Sequence, residues 1–212
     1  MRHPLPRLYL ISDRRQIPAG KDLLGMTAEL LQTGIRMFQL REKDLPAAQL
    51  YPLALKLRQL TRQHNCLFLI NDRIDLALAA DADGVQLGNH SVPTAVARQL
   101  LGPDKLLGVS THHPDEISSA ATAGADFVTY GPIYPTPSKA AYGDPVGLDS
   151  LYSACHAAPL PVFALGGIKP GNIKQTLQAG AHGTAMISAL LASPSPTETA
   201  GAMLRTTAEI FL

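Results

Sequence analysis

Three polar side chains at alternate positions follow an apolar, strand-like segment early in the chain. Gln39, Arg41 and Lys43 stand two residues apart, so strand geometry directs them to one side. Two cations and an amide that converge at a strand end suit a phosphate or a diphosphate. The alternative is a solvated loop in which a cation pairs with Glu42, and the spacing alone does not separate the two interpretations.

A carboxylate follows the next strand-like segment. Asn71 and Asp72 come directly after that apolar run. A carboxylate in this place can bind Mg²⁺ together with a substrate phosphate. Aspartate is also a common N-cap, and the local sequence alone favours a cap for the helix that follows. The two roles are compatible, so Asp72 is the candidate metal ligand.

Glycine and hydroxyl groups predict a second anion site late in the chain. Gly166 and Gly167 follow one strand-like run, and Ile187 and Ser188 follow the last one. Paired glycines let backbone N–H groups approach a phosphate closely, and Ser188 adds a hydroxyl near the start of a helix. Residue type and position agree here, so a phosphate site is favoured over a simple turn.

The segment 131–147 has several prolines and neither a helical nor a strand period. Unstructured loops longer than ~12–15 residues are usually functional. This one carries Thr136, Ser138 and Lys139, whose hydroxyls and ammonium group can close over an anionic substrate. The alternative is an ordinary surface turn.

Three histidines lie in the predicted loops at strand ends. His90 can serve as a base or a ligand, although a lone histidine in a loop is more often neither. His112 and His113 come shortly after Ser110, and adjacent residues point to different sides. A two-histidine metal site is therefore not expected, and the sequence has no second cluster that would favour zinc.

The segments that carry these residues alternate between two types. Short apolar runs typical of buried parallel strands occur at 7–11, 35–40, 67–70, 84–87, 106–109, 127–130, 162–164 and 184–187. Longer segments with helical spacing occur at 21–33, 46–64, 74–80, 92–101, 114–123, 148–157, 170–179 and 197–211. Ser91 is expected to cap the helix that starts at 92.

Eight such units in 212 residues predict a (β/α)8 TIM barrel, an α/β fold, with 1–212 as a single domain. An open doubly wound sheet alternates in the same way, but no Gly-x-Gly-x-x-Gly follows the first strand. In a barrel, the loops after the strands share one face, so the polar residues that follow the strand-like segments would meet on that face.

Composition excludes several classes of protein. The chain is 46% apolar, and 18 Lys and Arg against 17 Asp and Glu give a net charge of +1. This balance disfavours nucleic-acid binding and disorder. No apolar run approaches the ~18 residues of a membrane span, and no targeting segment is visible. Cys66 and Cys155 are expected to be reduced thiols of a cytoplasmic protein.

The ordered motifs resemble those of the thiamin phosphate synthase family and its TenI-type relatives. They cover nearly the whole chain, at 39–43, 70–73, 82–84, 108–110, 131–136 with Ser138 and Lys139, 165–168 and 186–188. The resemblance implies a TIM barrel, a possible homodimer and a transferase that couples hydroxymethylpyrimidine diphosphate to thiazole phosphate. Mg²⁺ would assist, and diphosphate would be released after dissociation to a pyrimidine-methyl cation.

The resemblance also implies roles for individual residues. Arg41, Lys43, Ser110 and Lys139 would hold the diphosphate. Gln39 and Asn71 would orient the pyrimidine, and Asp72 would bind Mg²⁺. The thiazole phosphate would be held by Thr136, Ser138, Gly166, Gly167, Ile187 and Ser188.

Two positions differ from the synthase pattern and resemble the TenI branch. Gln86 stands where the family usually has histidine, and Ser91 stands where it usually has a second Mg²⁺ carboxylate. Loss of a carboxylate weakens the expected metal site and the case for synthase activity. One alternative is a thiazole phosphate tautomerase, although Pro132 replaces its catalytic histidine and His90 or His112 would have to substitute. Another is a non-catalytic protein that binds thiazole phosphate.

Overall fold

The computed structural model describes residues 4–136 and 144–211. Eight parallel strands form a closed barrel in chain order, with β1 paired to both β2 and β8. The strands are β1 (Leu8–Ile11), β2 (Met37–Leu40), β3 (Leu67–Asn71), β4 (Gly84–Leu87), β5 (Leu106–Thr111), β6 (Phe127–Tyr130), β7 (Val162–Leu165) and β8 (Gly183–Met186). The predicted TIM barrel is confirmed, and the open-sheet alternative is wrong.

Helices follow the strands. They are α1 (Leu23–Gln32), α2 (Ala47–Gln63), α3 (Ile74–Ala79), α4 (Thr94–Leu101), α5 (Pro114–Thr122), α6 (Gly147–Ala157), α7 (Ile173–Gln178), α8 (Ser188–Leu191) and α9 (Pro196–Phe211). Each of the eight predicted helices corresponds to one of these. The additional short helix α8 begins directly after β8, so Ile187 is its N-cap rather than a strand residue.

The strands are mostly apolar because both of their faces are covered, by helices outside and by side chains inside. Inside the barrel, the rings of Tyr9, Phe127 and Phe163 meet edge to face at centroid distances of 5.4–5.9 Å. All three rings are fully buried. This aromatic layer closes the interior beneath the strand ends that face the candidate site.

Three strands, β3, β5 and β7, run further than the sequence predicts, and the extensions of β3 and β5 carry predicted site residues. Asn71 pairs with Gln86 of β4, and Ser110 pairs with Thr129 of β6. The ladder therefore fixes the backbone of Asn71 and Ser110.

Within the described ranges, no helix is both long and apolar enough to cross a membrane.

Candidate active site

The carboxyl ends of the strands surround a central cavity of about 160 Å³. Six of the predicted site residues line it: Gln39, Arg41, Lys43, Asn71, Ser110 and Ile187. They come from β2, β3, β5, the loop after β2 and the loop after β8. The structure therefore brings together the predicted pyrimidine residues and three of the four predicted diphosphate residues, and Lys139, the fourth, lies outside the described residues.

Two cations, Arg41 and Lys43, face this cavity, and its described lining residues include no carboxylate. Burial and the nearby charge of Arg41 lower the pKa of Lys43, and the carboxylate of Asp72 partly opposes the shift. Glu42 lies on the other side of the chain. The interpretation of this segment as a solvated loop with an ion pair to Glu42 is therefore wrong.

Glu42 instead organises the ends of β1 and β2. Its buried carboxylate accepts hydrogen bonds from Ser12 Oγ at 2.6 Å and from Arg14 Nη1 at 3.0 Å, as well as from the backbone N–H of Arg14. Ser12 Oγ in turn accepts the backbone N–H of Arg41 at 2.8 Å. Arg14 also forms a two-point pair with exposed Asp44, at 2.8 Å for each bond, and this pairing lowers the pKa of Asp44 to about 2. The network holds the backbone that carries Arg41.

The amide of Gln39 is held by Tyr9, which lies in the aromatic layer inside the barrel. Its Nε2 donates to the Tyr9 hydroxyl at 2.6 Å, and both side chains are buried. Burial raises the pKa of Tyr9, so the phenol stays protonated. Gln39 is thereby held at the bottom of the cavity in one orientation.

Gln86 forms part of the cavity floor. Its Nε2 lies 3.2 Å from Ser110 Oγ and 3.4 Å from Thr129 Oγ1, while its buried Oε1 has no hydrogen-bond partner among the described residues. The position where the family usually has histidine is therefore a buried amide that contacts Ser110.

Asp72 lines a neighbouring cavity of about 280 Å³, which also contains Lys43, Asn71 and Ser91. Its backbone adopts the left-handed conformation, with φ of +65°, which is uncommon for a residue other than glycine. The first residue before α3 is Arg73, and α3 has no side-chain cap. The expected cap by Asp72 is therefore wrong, and its exposed carboxylate faces the cavity rim.

Ser91 has a different role from the predicted helix cap. Its Oγ accepts the backbone N–H of Gly88 at 2.8 Å and closes the loop after β4, whereas α4 begins only at Thr94. Over residues 4–136 and 144–211, no three His, Cys, Asp or Glu side chains are grouped to hold a metal. Glu42 also lines this cavity, but its carboxylate is bonded to Ser12 and Arg14, so Asp72 is the candidate ligand for a cation.

A third cavity, of about 70 Å³, lies between the loops after β7 and β8. Its lining includes Thr136, Gly166, Gly167, Ile187 and Ser188, as predicted for the second anion site. It shares Leu165 and Ile187 with the central cavity, so the two are adjacent. Ser138 and Lys139 lie outside the described residues.

The start of the long loop is attached to the loop after β7. Ile133 N donates to Leu165 O at 3.0 Å, and Tyr134 N donates to Gly166 O at 3.1 Å. A Cβ on Gly167, where φ is +66°, would stand 2.6 Å from Tyr134 Cβ. Glycine is therefore required for this close packing, which brings Thr136 to the third cavity.

Comparison with known proteins identifies this arrangement. The model of the family described as "Thiamine monophosphate synthase" matches residues 8–190. The chain belongs to the thiamine monophosphate synthase family. A Geobacter sulfurreducens relative whose name refers to thiamine-phosphate synthase is 55% identical over 197 residues, which cover 93% of this chain and 92% of the relative.

Two further relatives support the same family assignment. The "Thiamine-phosphate synthase" of Synechocystis is 43% identical over 93% of this chain, which spans only 56% of that longer protein. The solved structure of "Thiamine phosphate pyrophosphorylase" from Pyrococcus furiosus has a TM-score of 0.88 and 33% identity, with 97% of each chain covered. The family and fold that the sequence motifs predict are confirmed, and nothing in the comparisons favours the tautomerase or the binding protein.

The three loop histidines have separate environments in this family member. His90 and His112 line the central cavity, and exposed His113 is the N-cap of α5. His112 Nδ1 lies 2.5 Å from Gly131 O, a contact between the end of β5 and the first residue after β6. Sequence reasoning found no signal for this contact, because the two residues are 19 positions apart.

Proposed function

We propose that this chain is a thiamine-phosphate synthase, a transferase that joins hydroxymethylpyrimidine diphosphate to thiazole phosphate and releases diphosphate. The observation that carries the proposal is the adjacency of two cavities at one barrel mouth, which share Leu165 and Ile187 and are lined by residues of the two predicted anion sites. An enzyme that couples two phosphorylated molecules needs both to lie within bonding reach.

The leaving diphosphate is the main electrostatic requirement of this reaction. Arg41, Lys43 and Ser110, together with Lys139 from the long loop, stabilise the negative charge that develops as the C–O bond breaks. Burial lowers the pKa of Lys43, and the nearby charge of Arg41 lowers it further, so the two cations repel each other before substrate binds. An anion between them removes that repulsion.

The remaining residues orient the two rings. Gln39, fixed by Tyr9, and Asn71, fixed in the ladder, orient the pyrimidine. The thiazole phosphate is held by the loops after β6, β7 and β8, through Thr136, Ser138, Gly166, Gly167, Ile187 and Ser188. The ring of the thiazole phosphate would then lie near Leu165 and Ile187, which both cavities share.

Asp72 fits a Mg²⁺ ion. Mg²⁺ is commonly held by one or two carboxylates plus substrate phosphates and water, so a single exposed carboxylate beside a diphosphate site suffices. The bound ion would neutralise charge on the leaving group. Ser91 Oγ, already bonded to Gly88 N, adds little to such a site.

The assay is direct. Purified chain with both substrates and Mg²⁺ should form thiamin phosphate, and Lys43→Ala should lose about 10²- to 10³-fold in kcat/KM because one charge on the leaving group is unmatched. Lys56→Ala, an exposed lysine on α2, is the matched control and should match the wild type. Absence of thiamin phosphate at enzyme concentrations equal to substrate would contradict the proposal.

A second variant tests the metal site. Ser91→Asp adds the carboxylate that the family usually has, so it should lower the Mg²⁺ concentration at half-maximal activity. Ser91→Ala is the control. An unchanged Mg²⁺ dependence in Ser91→Asp would contradict the hypothesis that position 91 limits metal binding.

We further propose that the protein acts as a homodimer in the cytoplasm. Val96 and Leu100 expose apolar surface on one face of α4, as does Val92 just before it. Sedimentation equilibrium tests the dimer, and Leu100→Glu should weaken it if this face is the interface.

A further inference from the structure

We propose that His112 is the general acid that protonates the departing diphosphate. The inference rests on the proposed function and extends it to a residue that the motif comparison leaves without a role. It starts from the fixed orientation of this imidazole at the cavity wall.

The hydrogen bond to Gly131 assigns the protons of the ring. A carbonyl oxygen only accepts, so the Nδ1 that lies 2.5 Å from Gly131 O carries hydrogen and donates. The other ring nitrogen, Nε2, is then the one that exchanges a proton with a ligand. The backbone N–H of His112 also donates to Glu116 Oε2 at 2.6 Å, which fixes the residue at the start of α5.

The surroundings of His112 favour an anion as its partner. Arg41, Lys43 and Ser110 line the same cavity, and its described lining contains no carboxylate. Histidine is the side chain that most often transfers protons in general acid–base catalysis. The group that best supplies a proton to a bound diphosphate is therefore an imidazole.

His112 suits this role better than His90. His90 is exposed in the loop after β4, and its ring has no hydrogen bond to the described residues. His112 is half-buried, with one nitrogen bound to the start of the loop that carries Lys139. A donor held in place at the cavity wall loses less orientational freedom on reaching the transition state.

The proposed step balances as follows. The bond between the pyrimidine methylene carbon and the diphosphate oxygen breaks, and its electron pair goes to that oxygen. The lone pair of the thiazole nitrogen then forms the new C–N bond to the resulting pyrimidine-methyl cation. The proton on Nε2 of the imidazolium moves to the diphosphate, which leaves His112 neutral and still bonded to Gly131 through Nδ1. Solvent returns the proton after product release. The charged groups that face this imidazole are Arg41 and Lys43 after β2, with Glu116 on α5.

His112→Gln is the test variant, because glutamine can still donate to Gly131 O but cannot transfer a proton. Its single-turnover rate constant should fall by about 10²- to 10⁴-fold, with KM for the pyrimidine diphosphate nearly unchanged. The wild type should show a normal solvent deuterium isotope effect on this rate constant, and the variant should not. His113→Gln, the exposed neighbour, is the matched control and should retain the wild-type rate.

Three results would overturn the inference. One is a His112→Gln rate constant equal to that of the wild type, and another is the same large loss in His90→Gln instead. The third is a wild type with no solvent isotope effect, which does not depend on any variant folding. A wild type that forms no thiamin phosphate at all would refute the proposed function itself, so the two failures are distinguishable.

Discussion

Replacing Glu42 with alanine is expected to lower the free energy of unfolding of the barrel and also its kcat/KM, because Glu42 helps to position Arg41. The carboxylate is almost fully buried, with 1% of its side chain exposed, and it bonds to Ser12 and to Arg14. Alanine removes these acceptors together and leaves the Ser12 hydroxyl and the backbone N–H of Arg14 without them, while the Arg14 guanidinium keeps its pair with Asp44. Arg41 is affected through Ser12, whose hydroxyl accepts its backbone N–H.

The magnitude follows from the burial of the pair. Breaking a buried ion pair costs about 3–5 kcal/mol, and the lower end applies here because Arg14 is 35% exposed. We therefore expect Glu42→Ala to lower the free energy of unfolding by about 3 kcal/mol. A shift of ~1 Å in the backbone that carries Arg41 would lower kcat/KM about 10²-fold.

Urea unfolding and steady-state kinetics measure the two effects. Asp44→Ala is the matched control, because it removes the exposed partner of Arg14 and leaves Glu42 in place; its urea midpoint should stay close to that of the wild type, since exposed ion pairs stabilise little. The reasoning is refuted if Glu42→Ala unfolds at the same urea concentration as Asp44→Ala and keeps the wild-type kcat/KM.

Three further outcomes are expected. Because burial and Arg41 lower the pKa of Lys43, diphosphate affinity should fall as the pH rises through that lowered pKa, and Lys43→Arg should keep its affinity in alkaline calorimetric titrations. Burial raises the pKa of the Cys155 thiol to about 12, so mass spectrometry should find no iodoacetamide adduct there at neutral pH until the chain is unfolded. Gly108→Ala should lower the free energy of unfolding by about 1–3 kcal/mol in urea, since its Cβ would stand 2.3 Å from Gln86 Oε1.

The barrel could be predicted because its strands and helices leave separate signals along the chain. A run such as Leu8–Ile11 is wholly buried and continuously apolar, whereas α2 shows helical spacing over 17 residues. The helix α8 was missed because four residues carry no period. The convergence of Gln39, Arg41 and Lys43 followed from strand alternation and the common face of barrel loops.

The side-chain partners could not be predicted, because they join residues distant in sequence. Glu42 was weighed as a partner for its neighbouring cations, yet it bonds to Ser12, 30 positions earlier. The left-handed backbone conformation of Asp72 cannot be predicted from the residue types around it. From the sequence alone, Asp72 therefore resembles an ordinary helix N-cap. Ser91 likewise resembled a helix cap until Gly88 was seen to donate to it.

A crystal structure with thiazole phosphate, diphosphate and Mg²⁺ bound tests the central claim most directly. The account predicts the thiazole phosphate on Gly166, Gly167 and Ser188, the diphosphate between Arg41 and Lys43, and the metal beside Asp72. Anions bound outside the barrel mouth, or a single anion that occupies both cavities, would contradict it.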